Sequence, residues 1–127
     1  AGKAGYPDRL VTYNPGVAET YLYTTHQDYW AGELVNLESP ARGRYLDNGL
    51  QWFGWTCLED RAWVHTQLDT PIPAPLYSDE AILRNVQTCN QHQAPMTFNV
   101  GIYQDGTLAP GSVEQLSRLD RALKGGR

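Results

Sequence analysis

The chain has 127 residues, of which 41% are hydrophobic and 19% charged, and its formal net charge is −4 with ten scattered lysines and arginines. This length suits one small domain. The acidic, dispersed charge argues against nucleic acid or an anionic membrane surface as the main partner. No apolar run approaches the length of a membrane span, and the first ten residues lack the apolar core of a signal peptide.

The first predicted elements are two strands at 9–14 and 19–25, where aliphatic, β-branched and tyrosine residues are bounded by prolines and glycine. Residues 27–49 follow as a loop rich in Gly, Pro, Asn and Asp, with a short helical turn around 32–37. A loop this long in a compact domain is usually functional, and its aromatic content argues against disorder.

The later half of the chain alternates strands with helices. Strands are predicted at 51–57 and 96–101, and amphipathic helices at 78–92 and 112–124, with Ser78 as the N-cap of the first helix. This alternation favours parallel strands with covering helices, so the sequence predicts an α/β fold.

Chemistry in such folds lies at the carboxyl ends of the strands. Asn99 and Asp105 lie at or just past the end of the last predicted strand. They are therefore candidate site residues, with the alternative that Asp105–Gly106 makes a tight turn and nothing more.

Aromatic residues are the unusual feature of the composition. Four tryptophans fall within one third of the chain, and eight tyrosines accompany them. Such residues either fill a core or hold a sugar, because a flat ring covers the apolar face of a pyranose while nearby carboxylates and amides bind its hydroxyls. Both interpretations stay open, and the tryptophans concerned are Trp30, Trp52, Trp55 and Trp63.

Metals and cofactors have little support in the sequence. Cys57 and Cys89 are either a disulfide or two buried thiols. The three histidines are well separated, and the chain contains neither CxxC nor HExxH. We therefore expect no metal and no cofactor.

The stretch FNVGIYQDGTLAPGSVEQLSRLDRAL, 98–123, resembles the closing strand, turn and helix of the catalytic barrel of glycoside hydrolase family 29, the α-L-fucosidases. That family typically has a hydrophobic strand, N-V-G-P, D-G-T-I, and a helix with leucines at helical spacing. Ile102 departs from the pattern, because the family usually has proline there. The residues that match are Asn99, Val100, Gly101, Asp105, Gly106 and Thr107.

Two earlier stretches resemble the family more weakly. QDYWAGE, 27–33, is similar to a segment in which a glutamate follows an aspartate by five residues, a spacing that Asp28 and Glu33 keep. WFGWTCLEDRAWVH, 52–65, is similar to a segment with a cysteine and a later tryptophan, although the glutamate usual after the first tryptophan is missing.

The family fold is a (β/α)8-like barrel followed by a β-sandwich, and a barrel needs about 250 residues. The resemblance therefore implies a partial (β/α)8-type barrel, roughly the last four βα units, with mostly parallel strands and covering helices. Residues 1–127 are expected to be a single domain or a fragment of a larger barrel domain. The opening AGKAG followed by Tyr6–Pro7 agrees, because it is typical of a helix end.

The resemblance also implies roles for individual residues. Retaining glycosidases use two carboxyl groups about 5–5.5 Å apart. Glu33 is the candidate acid/base, and the family nucleophile, an aspartate on an upstream strand, has no counterpart here, so we expect the isolated chain to be inactive. The candidate substrate-binding residues are Asn14, His26, Asp28, Trp30, Trp55, Trp63, His65 and Asp105.

The expected partners are a carbohydrate and either the missing N-terminal half-barrel or a second copy of the chain, since half a barrel exposes strand edges. A stable monomer is not expected. A secreted or periplasmic location is favoured if the chain belongs to a polysaccharide-degrading enzyme. The alternative is a non-catalytic module that binds carbohydrate or self-assembles.

Overall fold

The computed structural model describes residues 2–17, 19–60 and 70–125. Trp63 and His65 lie outside the described residues. Within the described residues, three strands form one parallel sheet in the order β1-β2-β3, and two helices accompany them. The predicted α/β class with parallel strands is confirmed. The elements are β1 (Gly32–Glu33), β2 (Gly54–Cys57), α1 (Asp79–Gln91), β3 (Met96–Asn99) and α2 (Pro110–Gly125).

The chain divides into two compact units. The first unit comprises Ala1–Trp55 and Thr88–Thr97, and the second comprises Thr56–Gln87 and Phe98–Arg127. The boundaries fall inside β2, α1 and β3, so each of these elements contributes residues to both units.

The first unit is organised by the pairing of β1 with β2. Gly32 pairs with Gly54 and Glu33 with Trp55, and the same register continues backward to a bridge between Tyr29 and Gln51. Because side chains alternate between the two faces of a strand, Trp30 shares one face with Gly32, and Glu33 lies on the other.

Each glycine of this pair makes room for a tryptophan on its own strand. A Cβ atom on Gly32 would stand 2.3 Å from the Trp30 ring, and one on Gly54 would stand 2.3 Å from the Trp52 ring. The two rings lie along the sheet with centroids 5.8 Å apart. They form the centre of a core cluster whose buried members are Trp30, Leu34, Ala41, Leu50, Trp52, Cys89 and Ala94.

We expect Gly54→Ala to destabilise the chain by about 1–3 kcal/mol, because the new methyl group overlaps the Trp52 ring and Leu34. Gly43→Ala is the matched control, since the nearest atom to its Cβ position, the Tyr45 carbonyl oxygen, is 3.7 Å away. Urea unfolding followed by tryptophan fluorescence measures both free energies of unfolding. Equal losses for the two variants would contradict the packing of the ring over the glycine.

The predicted strand at 9–14 is wrong. Side-chain hydrogen bonds hold this segment: the Val11 amide donates to Asp28 Oδ2 at 2.7 Å, and the Thr12 side chain donates from Oγ1 to the Tyr29 carbonyl at 2.5 Å. One backbone bond, from the Asp28 amide to the Val11 carbonyl, joins it to the segment before β1. Side-chain hydrogen bonds thus replace the ladder that β-propensity alone predicts.

The predicted strand at 19–25 is also wrong, for the same reason. The Glu19 carbonyl accepts from Trp30 Nε1, and the Thr20 carbonyl accepts from Asn48 Nδ2, each at 2.6 Å. The helical turn predicted around 32–37 is wrong at its start, because residues 32 and 33 form β1.

The two predicted helices are confirmed to within two residues at each end. Ser78 acts as predicted, since its Oγ accepts a hydrogen bond from the Ala81 amide. Helix α2 starts earlier than predicted, with Pro110 as its first residue, a position where the missing amide hydrogen costs nothing.

Helix α2 turns a partly polar face inward. Ser112, Gln115 and Leu119 are buried, whereas Val113 is 44% exposed. Gln115 Nε2 donates to the Tyr77 carbonyl at 2.7 Å, which ties the helix to the residues that precede α1. Cys57 and Cys89 are not joined in a disulfide, so the second of the two predicted alternatives, two thiols, holds.

Candidate functional site

Glu33 lies at the carboxyl end of β1. Folds with parallel sheets bind their ligands at this end of the strands. The in-register neighbour of Glu33 on β2 is Trp55, whose side chain shares the same face. Asn14 Nδ2 donates a hydrogen bond to Glu33 Oε2 at 3.1 Å. The structure therefore brings together three of the predicted site residues, a carboxylate, an amide and an indole.

The NPG sequence at 14–16 sets the orientation of Asn14. The Gly16 amide donates to Asn14 Oδ1 at 2.8 Å, and Gly16 has a φ of 106°, a conformation that favours glycine. With its oxygen engaged in this turn, the amide nitrogen of Asn14 points to Glu33. Val17 then runs beside Glu33 in a parallel bridge, which holds the turn against β1.

One oxygen of Glu33 stays available for a ligand. Within the part of the chain that the structure describes, Oε1 accepts no hydrogen bond, and the residue is half-buried. Tyr29 and Phe53 lie on the same sheet face nearer its amino end, with ring centroids 5.4 Å apart and an edge-on geometry. A carboxylate with one anchored and one free oxygen, above an aromatic surface, can donate or accept a proton at a bound molecule.

His26 and Asp28 lie away from Glu33. Both precede β1, and five extended residues at about 3.3 Å each place Asp28 about 16 Å from Glu33 along the strand. Asp28 is bound by Lys3 Nζ at 2.8 Å and by the Val11 amide. These hydrogen bonds, first from Lys3 and then from Val11, hold the pKa of Asp28 below its ordinary value. Its contacts anchor the amino-terminal segment.

Asp28→Asn is expected to loosen residues 2–12, since the amide group replaces a carboxylate that accepts from both Lys3 and Val11. Hydrogen exchange at the Val11 amide should become faster than in wild type. The same amide should lose protection in the wild-type chain as pH falls through the depressed folded pKa of Asp28, because the stabilisation exists only above it. Unchanged exchange in Asp28→Asn would contradict this anchoring.

Trp30 does not join Glu33 either. It lies on the opposite sheet face, is 4% exposed, and donates from Nε1 to the Glu19 carbonyl. Trp30 and Trp52 therefore belong to the hydrophobic core and not to a sugar platform, the two roles that the sequence left open. The sequence could not separate the faces, because aromatic residues occupy both sides of β1 and β2.

Asp105, in the second unit, forms a turn. Its Oδ1 accepts from the Thr107 amide at 2.9 Å and from Thr107 Oγ1 at 2.7 Å, and these bonds hold the pKa of Asp105 below its ordinary value. Gly106 completes the turn with a φ of 85°. The tight-turn alternative thus accounts for every contact of Asp105 that the structure gives.

Sequence reasoning missed Glu59, a carboxylate of the second unit that the structure buries fully. It is 0% exposed; Oε2 accepts from the Gly101 amide at 3.0 Å, and Oε1 accepts from the Ser112 hydroxyl. It therefore joins the residues after β2, the residues after β3 and the first turn of α2. The available signal was an acid two residues after a strand, together with a serine on the inner stripe of α2.

No metal site emerges from the described part of the chain: no three His, Cys, Asp or Glu side chains in 2–17, 19–60 and 70–125 gather closely enough to hold an ion. Among the same residues, neither helix is both long and apolar enough to cross a lipid bilayer.

The chain was compared with protein families, curated proteins and solved structures. No protein-family model, no curated protein and no solved structure matches the chain.

Proposed function

We propose that this chain is part of a retaining glycoside hydrolase of the α-L-fucosidase type, with Glu33 as the acid/base. The observation that carries the proposal is that Glu33, at the carboxyl end of β1, accepts a hydrogen bond from Asn14 and lies in register beside Trp55, the second residue of β2, whose side chain is 9% exposed. A carboxylate, an amide and an indole suit proton transfer and sugar binding, and the carboxyl end of a parallel strand is where α/β folds hold their substrates.

The chemistry assigned to the site is proton transfer at the glycosidic oxygen. Glu33 Oε1 gives a proton to the departing oxygen, and the resulting carboxylate then takes a proton from the water that releases the sugar. Asn14 holds Oε2 and so fixes the carboxyl group, while Trp55 walls the sugar. An aspartate from the rest of the barrel attacks the anomeric carbon.

The partner of this chain is, in this proposal, the remainder of the barrel. Helix α1 contributes Cys89 to the core on the Trp30 face, so the Glu33 face looks away from the helix, as the interior face of a (β/α) barrel does. Tyr29 and Phe53 on that face are only half-buried. The remaining strands would cover these rings and bring the nucleophile toward Glu33.

The alternative function is a carbohydrate-binding or self-assembling module without catalysis. The exposed apolar side chains between residues 6 and 23 favour it, because a surface of this kind marks an interaction site. Its large members are 44–72% exposed, and they are Tyr6, Leu10, Tyr13, Val17, Tyr21, Leu22 and Tyr23.

Two measurements separate these functions. The chain co-expressed with the rest of the barrel should hydrolyse an α-L-fucoside and release L-fucose with retained anomeric configuration, seen by proton NMR. The isolated chain should perturb its Asn14 side-chain amide and Trp55 indole resonances on titration with L-fucose, and the Glu33→Ala variant should not. Light scattering adds the assembly state. A self-associated chain that binds sugar, with no hydrolysis by the complete protein, would establish the module instead.

A further inference from the structure

The connection from β1 to β2 contains no helix, which leaves one side of the first unit without its usual cover. Parallel strands are ordinarily joined by a helix that packs on the sheet. Here residues 35–50 return as turns, and the Tyr45–Gln51 bridge lays the end of the connection antiparallel to the entry of β2. A groove of about 940 Å³ remains over the Trp30 and Trp52 edges.

We propose that this groove is a binding site for a neutral oligosaccharide, separate from the Glu33 site. It lies on the Trp30 face of the sheet, and Glu33 lies on the opposite face. Its volume is within the range of sites that enclose ligands larger than a single sugar. The inference does not depend on the catalytic role of Glu33.

The walls of the groove are held in place before any ligand arrives. Asn48 Nδ2 donates to the Thr20 carbonyl at 2.6 Å, which ties one wall to the other. The Trp52 amide donates to the Arg44 carbonyl, and the Leu46 amide to the Leu50 carbonyl, each at 2.9 Å. A preformed groove avoids the ordering cost that weakens sugar binding to mobile loops.

The chemistry of the lining matches a molecule with apolar faces and hydroxyl edges. Tyr21 and Tyr45 line the groove and remain 62% and 55% exposed, so their rings are available to cover a pyranose. The Arg44 guanidinium stands 5.2 Å from the centre of the Tyr45 ring and supports it. Open aromatic rings on a polar groove favour a sugar over a wholly polar ligand.

Charge excludes strongly ionic ligands. Arg42 and Asp47 both line the groove, and within the described residues neither makes a hydrogen bond or ion pair. One cation and one anion cancel, so the groove favours neither an anion nor a cation. Each can bind sugar hydroxyls, the guanidinium as donor and the carboxylate as a two-oxygen acceptor.

The test uses the intact chain and three neutral probes that contain no fucose: lactose, maltotriose and cellotriose. We expect at least one of these saccharides to bind. Saturation-transfer difference NMR detects the binding through the signals of the saccharide. Asp47→Ala should weaken that probe by about 10- to 100-fold, because a hydrogen bond to a charged group is lost. Tyr45→Ala should weaken it by about 3- to 10-fold. Circular dichroism confirms that each exposed-site variant is folded.

Two control variants locate the binding. Tyr6→Ala removes an exposed tyrosine that does not line the groove, and Glu114→Gln alters an exposed carboxylate of α2 that does not line it either. Both should bind the probe as wild type does. If none of the three saccharides binds, or if binding persists unchanged in Asp47→Ala and Tyr45→Ala, the groove is not a saccharide site. Failure of the fucosidase assay alone would leave these binding results standing.

Discussion

On the proposed function, Glu33→Gln is expected to slow the hydrolysis of an alkyl α-L-fucoside by about 10²- to 10⁴-fold in the complete barrel, since general acid catalysis contributes about that much. Glutamine keeps the size of the side chain and still accepts from Asn14 Nδ2 through its carbonyl oxygen. It cannot protonate the departing oxygen. The loss therefore measures proton transfer and not the packing of residue 33.

The leaving group gives this prediction a second readout. An aryl fucoside such as the 2,4-dinitrophenyl compound departs without protonation, so its first step should be affected far less. Azide should then accelerate turnover of that substrate by the variant, because it attacks the fucosyl intermediate without needing a base to take its proton. The expected product is the fucosyl azide of retained configuration.

Glu38→Gln is the matched control, because Glu38 is an exposed glutamate in the connection that follows β1. It should hydrolyse both substrates at the wild-type rate. Equal rates for Glu33→Gln and wild type on the alkyl fucoside would remove Glu33 from catalysis. A fucosyl azide of inverted configuration would make it the nucleophile and not the acid/base.

Helices α1 and α2 could be predicted because their signals are local. Ser78 caps α1, and apolar residues recur at helical spacing in both helices. Strands β2 and β3 lie within the predicted 51–57 and 96–101. Each of these segments is short, rich in aromatic or β-branched residues, and bounded by turns.

The amino-terminal segments could not be predicted because their partners are distant side chains. Asp28 binds the backbone of Val11, and Asn48 binds that of Thr20, so β-prone sequence is held outside any sheet. The candidate site was half predictable for a related reason. Glu33 and Asn14 follow strand-like runs, but the face on which a tryptophan lies depends on the register of β1 against β2.

Glu59 stayed hidden because nothing near it in sequence identifies its partners. Gly101 and Ser112 lie 42 and 53 residues further along the chain. A buried carboxylate that accepts from a backbone amide and a hydroxyl is stable only if both donors are in place. The burial of Glu59 therefore depends on how the second unit packs, and the spacing of residues in the sequence does not predict that packing.

Glu59→Ala is expected to lower the free energy of unfolding by about 2–5 kcal/mol, the second large effect that follows from the structure. The change leaves the Gly101 amide and the Ser112 hydroxyl without an acceptor and opens a cavity. Urea unfolding monitored by circular dichroism measures the loss.

A set of variants separates the hydrogen bonds of Glu59 from its volume. Glu59→Gln keeps the volume of the side chain, but its NH2 group faces either the Gly101 amide or the Ser112 hydroxyl, both of which donate to Glu59 in the wild type. We therefore expect the free energy of unfolding to fall by about 1–3 kcal/mol. Ser112→Ala added to Glu59→Ala should cost less than the sum of the single changes, because the two side chains share one bond. Glu114→Gln, at an exposed position of α2, should change stability by less than about 0.5 kcal/mol.

Hydrogen exchange at the Gly101 amide should accelerate in both Glu59 variants. Wild-type stability in Glu59→Gln would mean that the volume of this side chain, and not its pair of hydrogen bonds, holds α2 to the strand ends.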